Sequence, residues 1–300
     1  MGGHWHGRTP RTSSQRILLG AVEAMKVGGQ AVIEGVMMRY KEKVSTAVRK
    51  KGKIIFHNQK VSSVTKKHPV LKIPLVRGFV FLIEMIVVGM KSLIWSAGQQ
   101  DDEGEISNTE ASITVMVSLL LGLGLFILLP YWLATFIAPA KTVAFNIWDG
   151  VFRLVIFVAY LLGIGLWADI KTVFQYHGAE HKAVNCYESK KKLTVENCKK
   201  SNIFHPRCGT SLLLFVVLIS IFVFAVVRTP HWYYNILARI VLVPVIVGIS
   251  YEILMFTANH YDNKFVRWLS TPGQWTQSLT TREPTGKQIE VAIAAIKKVT

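Results

Sequence analysis

The chain is short of cysteine and of acidic residues, with three Cys and only 18 Asp and Glu against 35 Lys and Arg. Three cysteines exclude a disulfide framework and leave thiols or metal ligands as the expected use of Cys186, Cys198 and Cys208. The acid deficit gives a formal charge of +17, which by itself would suit nucleic acid. No recognisable nucleic-acid-binding motif accompanies it, so nucleic acid is not an expected partner. The first residues lack the apolar core of a cleavable signal peptide, and residues 1–26 read as a disordered basic tail. No internal repeat is present.

What the chain has in quantity is apolar length. Residues 111–138, 143–168, 210–228 and 232–256 are each long enough to cross a bilayer core of about 30 Å. A fifth segment, 75–97, is apolar but carries Arg77, Glu84 and Lys91 at a spacing of seven. That spacing makes one polar stripe on a helix, which suits an interfacial or re-entrant segment better than a lipid-facing span.

Charge then sets topology. Residues 1–74 hold 15 Lys and Arg, residues 169–209 hold eight, and residues 257–300 hold six. With four spans all three segments fall on one side, which the positive-inside rule makes cytoplasmic, both termini included. The charge is then accounted for by this bias and by anionic lipid headgroups, the expected surface partner. The expected fold is mainly α: polytopic membrane helices (four spans plus one interfacial or re-entrant helix) in a domain over 75–256, with a small N-terminal β-rich cytoplasmic subdomain over 27–74.

Within the subdomain, Val44–Arg49 and Lys53–Val61 alternate apolar and polar residues around Lys50-Lys51-Gly52, the pattern of a hairpin. Residues 169–209 read as a cytoplasmic motif loop. In the C-terminal segment, 257–300, Thr271-Pro-Gly-Gln-Trp275 reads as a turn. After Pro284, the residues Ile289, Ala292, Ile293 and Ile296 make one apolar helix face. Asp149 and Arg153 stand four apart in the second span and pair with each other. Arg239 reads as a polar anchor near the outer face, and Gly122, Gly124, Gly163 and Gly165 as sites of close helix packing.

The chemistry is concentrated in His177-Gly-Ala-Glu180-His181. Histidines at i and i+4 lie on one helix face and can share a metal ion. Glu180 stands where a carboxylate can take a proton from a metal-activated water, and His-x-x-Glu-His is the inverzincin arrangement. His205-Pro-Arg207-Cys208 precedes the third span and Glu252 lies near the same end of the fourth, so both reach the same membrane depth. A catalytic zinc takes three protein ligands and a structural zinc four. Glu252 and Cys208 therefore compete for third place beside His177 and His181, and Cys208 or His205 would complete a closed structural site. The competing bland reading is a polar surface turn with a Glu–His ion pair.

Four stretches in order, Val27–Arg39, Tyr176–Glu188, His205–Ser211 and Thr280–Pro284 with Gln288–Ala292, resemble the YqhQ family of bacterial membrane proteins. The resemblance covers about residues 27–297 of this chain. It implies a cell-membrane protein and a metal-dependent enzyme, and names no substrate. The resulting expectation is a zinc (or other divalent-metal) hydrolase with Glu180 as general base. Glu34, Arg207 and Arg282 would line the site from the other motifs, and the arginines would suit an anionic substrate. The alternative is a non-catalytic assembly, chaperone or regulatory factor, with a structural His/Cys site and a membrane-protein partner.

Overall fold

The structure, a computed structural model, describes residues 27–100, 107–139, 142–226 and 231–300. The expected basic tail over 1–26 lies outside the described residues. Strands β1 (Gly28–Val32), β2 (Gly35–Tyr40), β3 (Lys43–Lys50) and β4 (Lys53–Lys60) form an antiparallel meander in the order β1-β2-β3-β4. Each connection is a two-residue turn. Glu34, Lys41, Lys51 and Gly52 take positive φ there, the backbone handedness that tight hairpins need.

Side chains alternate across β2, and both faces are covered. Val36 and Met38 pack with residues of α4 (Ala168–Glu188) and α8 (Gly286–Val299), whereas Met37 packs with Val88 of α1 (Val76–Gln100) on the opposite face. Period-two alternation under cover on two sides explains why five of the six β2 residues are buried. In α8 the apolar residues Ile289, Ala292, Ile293 and Ile296 are all buried against this layer.

The remaining long helices are α2 (Asn108–Leu123, running through a π turn at Gly124–Leu128 into Leu129–Thr135), α3 (Val143–Ile164), α5 (Gly209–Val226), α6 (Trp232–Asn259) and α7 (Lys264–Thr280). The wide turn in α2 immediately precedes Pro130, whose ring crowds the carbonyl of residue 126 and whose nitrogen cannot donate. Among the described residues, α1, α2, α3, α5 and α6 are long and apolar enough to cross a membrane. Their outward side chains include Leu119, Leu120, Leu121, Phe222 and Val226, all strongly exposed. This is the surface of a multi-pass membrane protein.

The polar stripe of α1 is divided among partners. Glu84 pairs with buried Arg39 at 3.4 Å, Arg77 pairs with Glu252 of α6, and Lys91 is exposed. Further along, Gly89 accepts from Gln30 at 3.1 Å, Ser92 accepts from Thr46 at 3.0 Å, and Ser96 accepts from the Ile33 amide at 3.1 Å. From Glu84 to Ser96, roughly 18 Å of helix at 1.5 Å per residue, one face of α1 is therefore bonded to the sheet.

Three local expectations are corrected. The motif loop is largely helical, because α4 begins at Ala168 after a break at Gly165–Trp167 and a short helix follows at Val195–Lys199. The helix expected around His177 and His181 thus extends over most of the first half of the segment, enclosed by the sheet and α8. The turn at 271–275 lies inside α7, where packing on α5 holds the helix through Pro272. A Cβ at Gly122, Gly124 or Gly163 would meet open space, so these glycines make no close packing in the monomer.

Candidate metal centre

Helix α4 is the backbone of the site, and the separated motifs converge on it. Tyr176 donates to Glu34 at 3.1 Å, and burial followed by the Glu34 charge pushes its phenol pKa up. Gly29 lies beneath Glu180, where any Cβ would sit 2.4 Å from the Met37 carbonyl and 3.1 Å from Glu180 Cγ. On the other side, the Arg282 amide donates to the Phe174 carbonyl at 2.9 Å and Lys182 pairs with Glu283 at 2.8 Å.

His177 and His181 stand on one face of α4 with ring centroids 4.4 Å apart. His177 Nδ1 lies 2.8 Å from the Thr280 carbonyl, and His181 Nδ1 lies 2.6 Å from the Ile203 carbonyl. A carbonyl oxygen only accepts, so both rings carry hydrogen on Nδ1 and present Nε2 to the site. Cys208 Sγ lies 3.3 Å from His177 Nε2, and one ligand atom from each of His177, His181 and Cys208 fits within 4.8 Å of the others. Ligands of a tetrahedral zinc at about 2.0–2.3 Å lie roughly 3.3–3.6 Å from one another. The Cys208–His177 distance falls in that range, and two imidazoles with a thiol are donors of the type that zinc takes.

The electrostatics couple the thiol to the two imidazoles. Burial opposes a charge on Cys208, but His177 and His181 outweigh it and hold the thiol pKa well below its ordinary value. Burial likewise opposes a charge on His181, yet the Cys208 thiolate and then Glu180 raise its pKa to about 9. The Cys208 thiol is thus eased toward the thiolate, the form in which sulfur ligates, while a ligating His181 would first have to give up its proton.

The other expected residues are distributed around this cluster. Glu180 is buried, with Oε2 3.5 Å from His181 Nε2. The His205 ring lies 5.8 Å from that of His181, but its Nε2 is 3.5 Å from Glu188 and its Nδ1 accepts from the Arg207 amide at 3.4 Å. Arg207 is itself paired with Glu188. Burial opposes the Glu188 charge, but His205 and Arg207 prevail and lower its pKa. Glu252 stands outside the cluster: its carboxylate accepts from Arg77 Nε at 2.7 Å and again from Nη2. An arginine fork matches a carboxylate in two bonds, which gives Glu252 a partner other than a metal. The Arg282 guanidinium donates to the carbonyls of Ser278 and Thr281 on its own chain segment.

Three groups escaped the sequence reading. The Thr280 and Ile203 carbonyls orient the histidines, and a backbone carbonyl leaves no mark on residue type. Gln277, fully buried, bonds both the amide and the carbonyl of His205 at 2.9 Å and also reaches Ser211. Its signal was an amide at helical spacing from Gly273 and Thr280, concealed by the apparent turn at Pro272.

Residues 73–300 match a family described as "Protein of unknown function (DUF1385)". The β-sheet precedes that match. A curated relative, "Uncharacterized protein YqhQ" of Bacillus subtilis (strain 168), is 36% identical over 291 residues, with 91% of each chain covered. No solved structure matches. On both comparisons the chain belongs to the DUF1385 family, alongside the YqhQ protein that it resembles along most of its length.

Proposed function

We propose that this protein is a membrane-embedded metal-dependent hydrolase whose zinc is held by His177, His181 and Cys208 at the cytoplasmic membrane interface. One observation carries the reading: both imidazoles are anchored through Nδ1 by backbone carbonyls, leaving each Nε2 beside a buried thiolate-forming sulfur. Carbonyl-anchored histidines are the usual support of a metal shell. A surface Glu–His turn gives no reason for His181 to be 2% exposed.

Three ligands favour catalysis over a structural staple, because they leave a fourth position open. His205, which would close the set as a structural site, is engaged by Glu188 and Arg207. When bound, zinc supplies a Lewis acid and lowers the pKa of water. Glu180, beside His181, would be the group to hold a proton taken from water, and Gly29 leaves room for its side chain. Helices α2, α3, α5 and α6 cross the bilayer while α1 lies along the sheet. The lysine-rich segments then share the cytoplasmic side.

Elemental mass spectrometry of detergent-purified protein tests this. Wild type should carry about one zinc per chain, as a high-affinity site does, and His177→Ala/His181→Ala and Cys208→Ser should lose it. Glu180→Gln should keep the metal and lose hydrolysis in a screen of phosphate esters, lipid esters and peptides. Metal-free wild type after metal-replete growth overturns the metal reading, while a bound metal with no hydrolysis by wild type favours the staple.

A further inference from the structure

Helix α7 is turned the opposite way from a helix in water. The residues it buries are mainly polar, including Ser270, Thr276, Gln277 and Thr280, whereas Phe265, Trp268 and Trp275 are 68%, 67% and 69% exposed. At 3.6 residues per turn, those three aromatics fall in an arc of about 80° with Pro272 between them. Beside that strip runs a second exposed strip of Lys264, Arg267 and Ser278. The helix thus has three faces: one polar and enclosed by protein, one aromatic, and one cationic.

An aromatic strip of this size is unfavourable in water. Aromatic and cationic strips side by side are the arrangement of a helix at a membrane surface, where tryptophan settles at headgroup level. The position of α7 agrees. Its enclosed face packs on the first turn of α5, with Ser211 Oγ donating to the Gly273 carbonyl at 3.0 Å and Thr276 Oγ1 to the Thr210 carbonyl at 3.4 Å. Those residues open an apolar helix of membrane-spanning length, so α7 is docked at the end of a candidate span.

We propose that α7 lies in the plane of the membrane interface, with Phe265, Trp268 and Trp275 among the acyl chains and Lys264 and Arg267 among anionic headgroups. This assignment rests on the membrane setting and does not require a metal. It gives α7 two roles, because the same helix holds His205 through Gln277 and His177 through Thr280. The histidine cluster is thereby fixed at headgroup depth.

The test uses the full chain reconstituted in phosphatidylcholine–phosphatidylglycerol vesicles, with Trp268→Cys, Trp275→Cys, Phe265→Cys or Ser278→Cys labelled by bimane. Protein without an added cysteine corrects for the three native ones. Label at 265, 268 and 275 should lose at least half its emission to lipids brominated high on the acyl chain and resist aqueous iodide. Label at 278 should show the reverse. Iodide quenching at 268 and 275 as strong as at 278 overturns the proposal by placing the strip in water. Shielding from both quenchers also overturns it, since a second copy or another protein then covers the strip.

Discussion

A Cβ added to Gly178 would lie 2.2 Å from the carbonyl oxygen of Arg282. Helix α4 and the segment leading into α8 touch backbone to backbone at that point, between the two histidines. Gly178→Ala must push them apart, at a cost of about 1–3 kcal/mol for an overpacked interior. The expected outcome is a lower thermal midpoint together with reduced zinc content, read on the same purified sample. An unchanged midpoint would show that this contact is looser than described.

Glu252 and the histidine cluster should separate cleanly under mutation. Glu252→Gln breaks a partly buried bidentate pair with Arg77 and should destabilise the protein by about 1–3 kcal/mol. Zinc content per folded chain should not change. Stability is checked by denaturation in detergent and metal by elemental analysis; loss of metal with stability intact would return Glu252 to the ligand set.

Inside the bundle, Asp149 accepts from Arg153 at 2.9 Å and also from Arg239, while both guanidinium groups lie against the Phe224 ring. Asp149→Asn leaves two buried cations without their counter-charge, which costs about 3–5 kcal/mol. Folded yield of that variant should fall sharply. Asp149→Leu/Arg153→Leu/Arg239→Leu should recover much of it, because removing a buried ionic group whole is far less costly than halving it. Failure of the triple variant to exceed the single one would assign the arginines a further role.

The cysteines should also separate by pH. Burial, then neighbouring Cys186, pushes the Cys198 thiol up to about 12, so its reactive thiolate is withheld throughout the neutral range. Iodoacetamide should leave Cys198 unlabelled in native protein from pH 7 to about 10, below that raised pKa, and label it once the chain is denatured. Peptide mass mapping reads the result, and native labelling that rises near pH 8.5 as for an ordinary thiol would contradict the described burial.

Periodicity made much of this fold legible. The apolar runs gave the long helices, Lys51-Gly52 gave the β3–β4 turn, and spacing alone gathered Ile289, Ala292, Ile293 and Ile296 on one buried face. Pro272 misled because a Pro-Gly pair favours a turn locally, whereas bonds from Ser211 and Thr276 to the Gly273 carbonyl hold the helix in place. In the site, the His-x-x-Glu-His spacing is visible in the sequence, which offers Cys208 and Glu252 equally as a third ligand. What divides those two is the arginine that Glu252 meets, and Arg77 is 175 residues away. No local pattern encodes a partner at that distance.

Thr280 follows His177 by 103 residues, yet its carbonyl aims that histidine. During synthesis both histidines and the thiol emerge well before that carbonyl exists. On the proposed metal reading, a nascent chain carries every ligand before it has the geometry to use them, and metal would be acquired only after Thr280 is in place. Truncation just ahead of Thr280 would yield a membrane protein that keeps all its ligands and holds its ion poorly.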